Sequence, residues 1–282
     1  MEELTFPPLI LSEWKETRDT LQKYCKMVGT IREVMSKPLL HSLHTNLLLT
    51  NDGFTTSHLL KNAAPPIQTF EIMLDVMNQR LRIESNYREP LFVALTGQSL
   101  NALCDETCSL LSDIGITPPL ERPSFLEGVR GRFESQLLQN YWKAVRTINQ
   151  VLTKIKNEIT EETSPVQLRP DDFALILTMF DKNIKDGNTA YTEQIEFGFS
   201  TGDEINPDAH LYISISPDSE LIEKFIDGSL LLKIKGRISR AVLPYPRLAE
   251  NNDPLKLALE FFRRIYAAVA DTPDQLVPKS QS

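Results

Sequence analysis

Apolar side chains recur every three or four residues in four long segments, a spacing typical of helices that bury one face. Pro38 follows the first segment and Gly115 follows the second, and both residues are typical of helix ends. Asp253 directly precedes Pro254, a pair suited to capping the start of the fourth. The sequence therefore predicts helices over residues 11–37, 100–114, 136–161 and 254–269.

Between these helices apolar and polar residues alternate, which is typical of antiparallel strands with one solvated face. The alternation is clearest over residues 69–76, and a turn is predicted at residues 51–53. A short helix over 217–225 is predicted to begin at the cap residue Ser216. The predicted strands are residues 46–50, 53–60, 69–76, 80–84, 91–95, 173–180, 191–199, 210–216 and 230–234.

The first and third helices share a pattern of large and basic side chains. A tryptophan is followed directly by lysine and one helical turn later by arginine, as Trp14, Lys15 and Arg18, and again as Trp142, Lys143 and Arg146. Each of these helices leads into strands, and each series ends in a second amphipathic helix. We therefore predict an α+β fold of two similar, pseudo-duplicated units, each an antiparallel sheet flanked by long amphipathic helices.

Proline and glycine are concentrated between the two predicted series, a composition that favours turns and irregular chain. We place a linker there, over residues 116–132. The predicted division is a first helix-sheet-helix unit over 1–115, a second over 133–271 and a polar, mobile tail over 272–282.

Composition and charge narrow the class of protein. Of 282 residues, 41% are hydrophobic and 24% charged, as in ordinary soluble globular proteins. The apolar runs are far shorter than the ~20 residues that span a bilayer, and the acidic start lacks the pattern of a secretory signal. The net charge of −8 disfavours nucleic acid and anionic lipid as partners. We expect a cytoplasmic protein that binds neither nucleic acid nor membrane.

Histidines and cysteines offer two weak metal hypotheses. His41, His44 and His58 are close in sequence, but no fourth ligand of suitable spacing accompanies them. Cys104 and Cys108 are neighbours on one helix face, where packing explains them better than metal binding. We therefore predict no metal site and no cofactor.

Catalytic signatures are absent from the sequence: it contains no nucleophile elbow, no Walker loop, no dinucleotide-binding glycine motif and no zinc-protease motif. The Ser124-x-x-Glu127 pair is better explained as a helix cap than as a reactive serine. Whether the protein is an enzyme stays undecided, and we lean towards no.

The two repeated arginines are the best candidates for ligand binding. A guanidinium group matches carboxylates and phosphates and also stacks on indole, so Arg18 and Arg146 beside Trp14 and Trp142 are suited to an anion site. A structural ion pair with a carboxylate of the sheet is the alternative, and we favour it.

The stretch from Glu13 to Leu21 resembles a bacterial family catalogued as domain of unknown function 5996. The similarity extends through Val28-Gly29, His44, Thr50, Gly53-Phe54-Thr55-Thr56, Ser164-Pro165-Val166, Gly198-Phe199, Leu243-Pro244-Tyr245 and Tyr266. The resemblance implies a relative but no activity.

The chain departs from the family pattern where aromatic and imidazole side chains are usual. It has Ser42 and Leu43 in place of two tryptophans and Gln167–Pro170 in place of a histidine and aromatics. The Gly-Phe-Trp-Pro-Gly run of the family, called the Gly-Phe motif below, here has Ser200 and Thr201 in place of tryptophan and proline. If those groups line a site in relatives, the resemblance implies that this chain has lost much of it.

Together these features favour a non-enzymatic cytosolic protein that binds another protein or takes part in assembly. The alternative is an enzyme or small-ligand receptor with an anion pocket formed by Arg18, His44 and Arg146. In that alternative, arginine holds a carboxylate or phosphate and His44 acts as acid or base.

Overall fold

A computed structural model of the chain describes residues 6–39, 42–62, 65–120, 128–180, 194–202, 206–216, 231–234 and 237–270. The side chains of residues 62, 231–239 and 268–270 lie outside this description. The predicted helix over 217–225, the tail over 272–282, His41 and the Ser124-x-x-Glu127 pair fall outside the described residues.

Five helices occur in the described part of the chain: α1 (Leu11–Met35), α2 (Leu100–Asp113), α3 (Ser135–Glu158), α4 (Tyr245–Ala249) and α5 (Pro254–Ala270). The four long helices correspond to the predicted ones, whereas α4 was not predicted. Two of the predicted helix boundaries are confirmed, the end of α2 and the start of α5. Gly115 has a φ of +74° and its N–H donates to Ser112 O, and the Asp253 carboxylate accepts from Lys256 N at 3.0 Å.

The described strands precede or follow α3. Before it lie β1 (Leu47–Leu49), β2 (Gly53–Thr55), β3 (Leu59–Asn62), β4 (Gln68–Asp75), β5 (Arg80–Ser85) and β6 (Leu91–Ala94). After it lie β7 (Glu162–Thr163), β8 (Gln167–Arg169), β9 (Ala174–Phe180), β10 (Gln194–Ser200), β11 (His210–Ser216), β12 (Leu231–Ile234) and β13 (Arg237–Pro244). The predicted strand over 53–60 is interrupted, because Ser57 has a φ of +59°. Of the described strands, β7, β8 and β13 have no counterpart among the predicted ranges.

The chain forms two compact units. The α1 unit comprises residues 12–143 and 167–174, and the α5 unit comprises 1–11, 144–166 and 175–282. The predicted first unit, 1–115, therefore overlaps the α1 unit, which also contains the start of α3 and the strand β8. The predicted linker and domain limits stay predictions about which segments fold independently.

In the α1 unit the strands pair antiparallel in the order β8-β1-β2-β4-β5-β6, and β3 also pairs with β4. Leu74 of β4 lies opposite Phe54 of β2 and Leu81 of β5, and all three side chains are fully buried. Trp142 of α3 packs edge-on against Phe54. The core of this unit therefore lies on the sheet face that carries these alternate residues.

In the α5 unit the antiparallel order is β12-β13-β11-β10-β9, and β7 pairs with the end of β9. Phe197 of β10 lies opposite Leu177 of β9 and Ile213 of β11, and all three are buried. Phe262 of α5 packs edge-on against Phe197 at 5.7 Å between ring centroids. Both units are therefore antiparallel, and the mixed α+β class predicted from the sequence is confirmed.

Candidate functional site

The predicted site residues Trp14 and Arg18 belong to an aromatic cluster in the α1 unit, which consists of Trp14, Arg18, Tyr141 and Phe173. The Trp14 ring stacks on Tyr141 with centroids 5.1 Å apart, and Tyr141 stacks on Phe173 at 5.4 Å. The Arg18 guanidinium carbon lies 5.7 Å from the Phe173 ring centre. This geometry stabilises a cation on an aromatic face within the core.

Arg18 is only 8% exposed, and its Nη1 donates to Asp19 Oδ1 at 2.8 Å. The pKa of the Tyr141 hydroxyl is raised well above its usual range, chiefly because the ring is fully buried. The phenol is therefore neutral at physiological pH and offers no general base. As the structure stands, the aromatic cluster packs the core and holds the Arg18 charge next to a carboxylate.

Trp142, the second predicted tryptophan, also lies in the α1 unit but has a different environment. Its ring meets Phe54 edge-on with centroids 5.2 Å apart, and its indole Nε1 donates to Asn51 O at 3.1 Å. The indole Nε1 of Trp14 is buried and has no hydrogen-bond partner among the described residues. Trp142 therefore anchors the turn between β1 and β2, whereas Trp14 contributes stacking.

His44 and Arg146 complete the set of predicted site residues. His44 is half-buried, and its Nδ1 accepts a hydrogen bond from Leu39 N at 3.2 Å. Arg146 is exposed on α3 and belongs to the α5 unit, whereas Arg18 and His44 belong to the α1 unit.

The described residues contain no group of three or more histidine, cysteine, aspartate or glutamate side chains arranged to hold a metal ion. His58 Nδ1 lies 3.6 Å from Glu71 Oε2, which gives this predicted histidine a carboxylate neighbour. Cys25 is fully buried, and burial raises the pKa of its thiol. Cys104 is also buried, and with Cys108 it lines a small cavity of about 260 Å³ at the end of α2.

A polar strand face in the α1 unit was missed by the sequence analysis. Leu48 of β1 lies opposite Thr55 on one side and Gln167 of β8 on the other, and Asn46 directly precedes β1. Asn46 Oδ1 and Gln167 Nε2 are both buried without a hydrogen-bond partner in the described part of the chain. The Asn46 acceptor and the Gln167 donor are suited to bind water, or a ligand that carries both a hydrogen-bond donor and an acceptor. Gln167 was not placed because β8 was not predicted.

A cavity of about 550 Å³ in the α5 unit was also missed. Its lining comes from β13, α4 and α5 and consists of Leu243, Arg247, Leu257, Glu260, Phe261, Arg263 and Arg264. From sequence, α5 was predicted only as an amphipathic helix over residues 254–269, and neither Arg263 nor Arg264 was among the candidate site residues. The helix α4, which also lines the cavity, was not predicted, so the sequence pattern gave no indication of the cavity.

The outer edge of the α1-unit sheet presents an exposed surface at β5 and β6. Phe92 of β6 is 49% exposed, and it lies opposite Arg82 of β5. The Arg80 guanidinium carbon lies 4.7 Å from the Phe92 ring centre, and Arg80 Nε donates to Asp75 Oδ2 at 3.0 Å. Among the described strands, none pairs with the other side of β6. We call Arg80, Arg82 and Phe92 the edge surface.

These features define a mixed α+β protein whose strands pair antiparallel, without a metal cluster among the described residues. No helix in the described part of the chain is both long and apolar enough to cross a membrane. The model of a family of unknown function, DUF5996, matches residues 6–275, and the chain belongs to this family. No curated protein and no solved structure matches the chain.

Proposed function

We propose that this member of the DUF5996 family is a non-enzymatic cytoplasmic protein that binds another protein through the edge surface. The observation that supports it best is Phe92, a half-exposed aromatic side chain on a strand whose outer side has no partner among the described strands. An unpaired strand edge offers backbone donors and acceptors to an extended segment of a partner.

The composition of the edge surface suits protein recognition. Aromatic residues and arginine are enriched at the centres of protein interfaces, and both are present here as Phe92, Arg80 and Arg82. Arg80 is half-exposed while paired with the buried Asp75. Arg82 pairs with the partly exposed Glu84, an ion pair that a partner's carboxylate can replace at little cost. An extended peptide with acidic and apolar residues would pair with β6 and place its carboxylates near the arginines.

The positions at which the chain departs from its family also support binding over catalysis. Ser200 and Thr201 are buried in the α5 unit, and Ser200 Oγ accepts from Gly202 N at 3.2 Å. Gln167 is buried in the α1 unit. These side chains pack the interior and present no nucleophile or base to solvent.

The alternative, an enzyme or small-ligand receptor with an anion pocket of Arg18, His44 and Arg146, has less support. Arg18 already donates to Asp19, and His44 Nδ1 already accepts from Leu39. The alternative makes a distinct prediction, because it requires Arg18 and not the edge surface for ligand capture.

We also propose that the two halves of the chain arose by duplication. The support is the shared Trp-Lys-x-x-Arg spacing in α1 and α3 and the antiparallel pairing of the strands in each unit. An experimental structure in which α1 with its following strands fails to superpose on α3 with its following strands would contradict this proposal.

The protein-binding proposal is tested by affinity purification of the full chain from native extract, with co-purifying proteins identified by mass spectrometry and their dissociation constants measured. Phe92→Asp is expected to weaken binding of the partner by about tenfold or more, because central aromatic residues dominate interface energies. Leu60→Asp is the matched control, since Leu60 is 48% exposed on β3 and outside the edge surface.

Equal weakening by both variants, or no effect of Phe92→Asp, would overturn the assignment to the edge surface. Arg18→Ala, tested beside them, distinguishes the protein-binding proposal from the anion-pocket alternative. Under the protein-binding proposal this variant melts at a lower temperature but captures the partner when folded. Purification of free monomer with a tightly bound small molecule, lost in Arg18→Ala, would favour the anion-pocket alternative instead.

A further inference from the structure

The cavity between β13, α4 and α5 combines an apolar floor with a concentration of positive charge. Leu243 and Phe261 are buried at its base, and Leu257 is half-buried at its side. Three arginines and one glutamate line it. This local excess of positive charge contrasts with the chain's net charge of −8.

Helical geometry explains how α5 builds one wall of the cavity. Leu257, Glu260, Phe261 and Arg264 are spaced by three and four residues, so they lie on one face of the helix. The Phe261 ring contributes the apolar part of that face and Arg264 the charged part. The wall therefore presents an apolar patch bordered by a guanidinium group.

The three arginines differ in their partners. Arg263 binds Glu158 through two hydrogen bonds, Nε to Oε2 at 2.8 Å and Nη2 to Oε1 at 2.6 Å, and this contact lowers the pKa of the Glu158 carboxyl. Within the described residues, neither Arg247 nor Arg264 has a hydrogen-bond or ion-pair partner. Glu260 is the cavity's own carboxylate, and its Oε1 lies 3.8 Å from Lys256 Nζ.

We propose that this cavity binds an organic anion in which a carboxylate or phosphate group is attached to an apolar body. Arg247 and Arg264 bind the anionic group, because the guanidinium fork matches both oxyanions and two such donors favour a charged ligand over a neutral one. The apolar body packs on Leu243, Leu257 and Phe261. The volume of about 550 Å³ lies in the range of pockets that bury drug-sized molecules.

The probe for the test is decanoate below its micelle concentration, titrated calorimetrically into the full-length protein. Decanol has the same chain without the charge, and inorganic phosphate has a charge without the chain. We expect saturable binding of decanoate and much weaker binding of decanol and inorganic phosphate. Decyl phosphate, titrated in parallel, shows which of the two anionic groups binds more tightly.

The variant Arg247→Gln/Arg264→Gln is expected to weaken decanoate binding by about tenfold to a hundredfold, because charged hydrogen bonds are lost. Arg88→Gln is the matched control, since Arg88 is exposed in the α1 unit and has no side-chain partner in the described part of the chain. Glu260→Gln removes the one carboxylate among the described residues of the cavity lining and is expected to strengthen binding.

Leu257→Glu serves as a second blocking variant, because it places a negative charge on the half-buried side of the cavity while keeping a good helix former. Thermal melting of each variant verifies that the fold is retained. The proposal is overturned if decanoate fails to saturate the wild-type protein, if decanol binds as tightly, or if the double variant binds like Arg88→Gln. None of these results depends on the edge surface, so the two proposals stand or fall separately.

Discussion

Identical side chains in the repeated Trp-Lys-x-x-Arg pattern have different physical roles. Trp14 and Trp142 are both buried and both contact an aromatic ring at almost the same distance. They differ in the indole N–H, which donates to Asn51 O in Trp142 and has no described partner in Trp14. A buried donor that is satisfied stabilises the fold, whereas an unsatisfied one costs free energy.

This difference predicts unequal effects of the same substitution. Trp142→Phe is expected to lower the free energy of unfolding by about 1 kcal/mol more than Trp14→Phe, because only Trp142→Phe removes a hydrogen bond. Denaturant unfolding of both variants measures the difference, provided that their m-values agree. Equal losses would show that ring packing alone determines the contribution of both tryptophans.

At the scale of secondary-structure elements, interactions between residues close in sequence are sufficient to end helix α2. At the end of α2, Gly115 N donates to Ser112 O and Ile116 N donates to Leu111 O, both at 2.8 Å. These two bonds form a Schellman motif, which favours glycine because the backbone has positive φ. The sequence therefore located this helix end correctly.

At Gly198 of β10, a side chain of the neighbouring strand requires the residue to be glycine. Tyr212 of β11 lies opposite Gly198 of β10, and a Cβ atom on Gly198 would overlap the Tyr212 ring. The ring is held at its hydroxyl, which donates to Glu196 Oε1 at 2.7 Å, and on its face, where the Arg240 guanidinium carbon lies 4.4 Å from the ring centre. The glycine of the Gly-Phe motif therefore makes room for an aromatic side chain.

Gly198→Ala is accordingly expected to destabilise the protein by about 1–3 kcal/mol, the usual cost of overpacking a core. Gly128→Ala is the matched control, because the nearest atom to its new Cβ is Asn101 Nδ2 at 3.9 Å. We expect that control to stay within about 0.5 kcal/mol of the parent. Thermal unfolding of the two variants compares them, and equal midpoints would contradict the packing role of Gly198.

At the scale of the whole molecule, the α1 unit contains residues from both sides of the predicted linker over 116–132. Residues that complete the core around α1 include Tyr141, Trp142 and Phe173, all beyond residue 115. A fragment of residues 1–115 would leave Trp14 and Phe54 without these contacts. We therefore expect it to lack a cooperative thermal transition, whereas the full chain unfolds cooperatively under the same conditions.

Circular dichroism of the fragment during heating measures this directly. A cooperative transition of the fragment would instead support independent folding of the predicted unit 1–115 and of a linker over 116–132. The same result would show that Tyr141, Trp142 and Phe173 add stability to a core that can already form without them.

The sequence by itself determined the long helices, most antiparallel strands and the mixed α+β class, because hydrophobic periodicity and cap residues act within a few neighbouring positions. It also identified the family, which the match over residues 6–275 confirmed. Only the tertiary structure decided that β8 pairs with β1, that Arg18 lies over Phe173, and that Arg247 and Arg264 border one cavity. Those relations join residues on different secondary-structure elements. Their free energies depend on burial and on partners that local patterns do not encode.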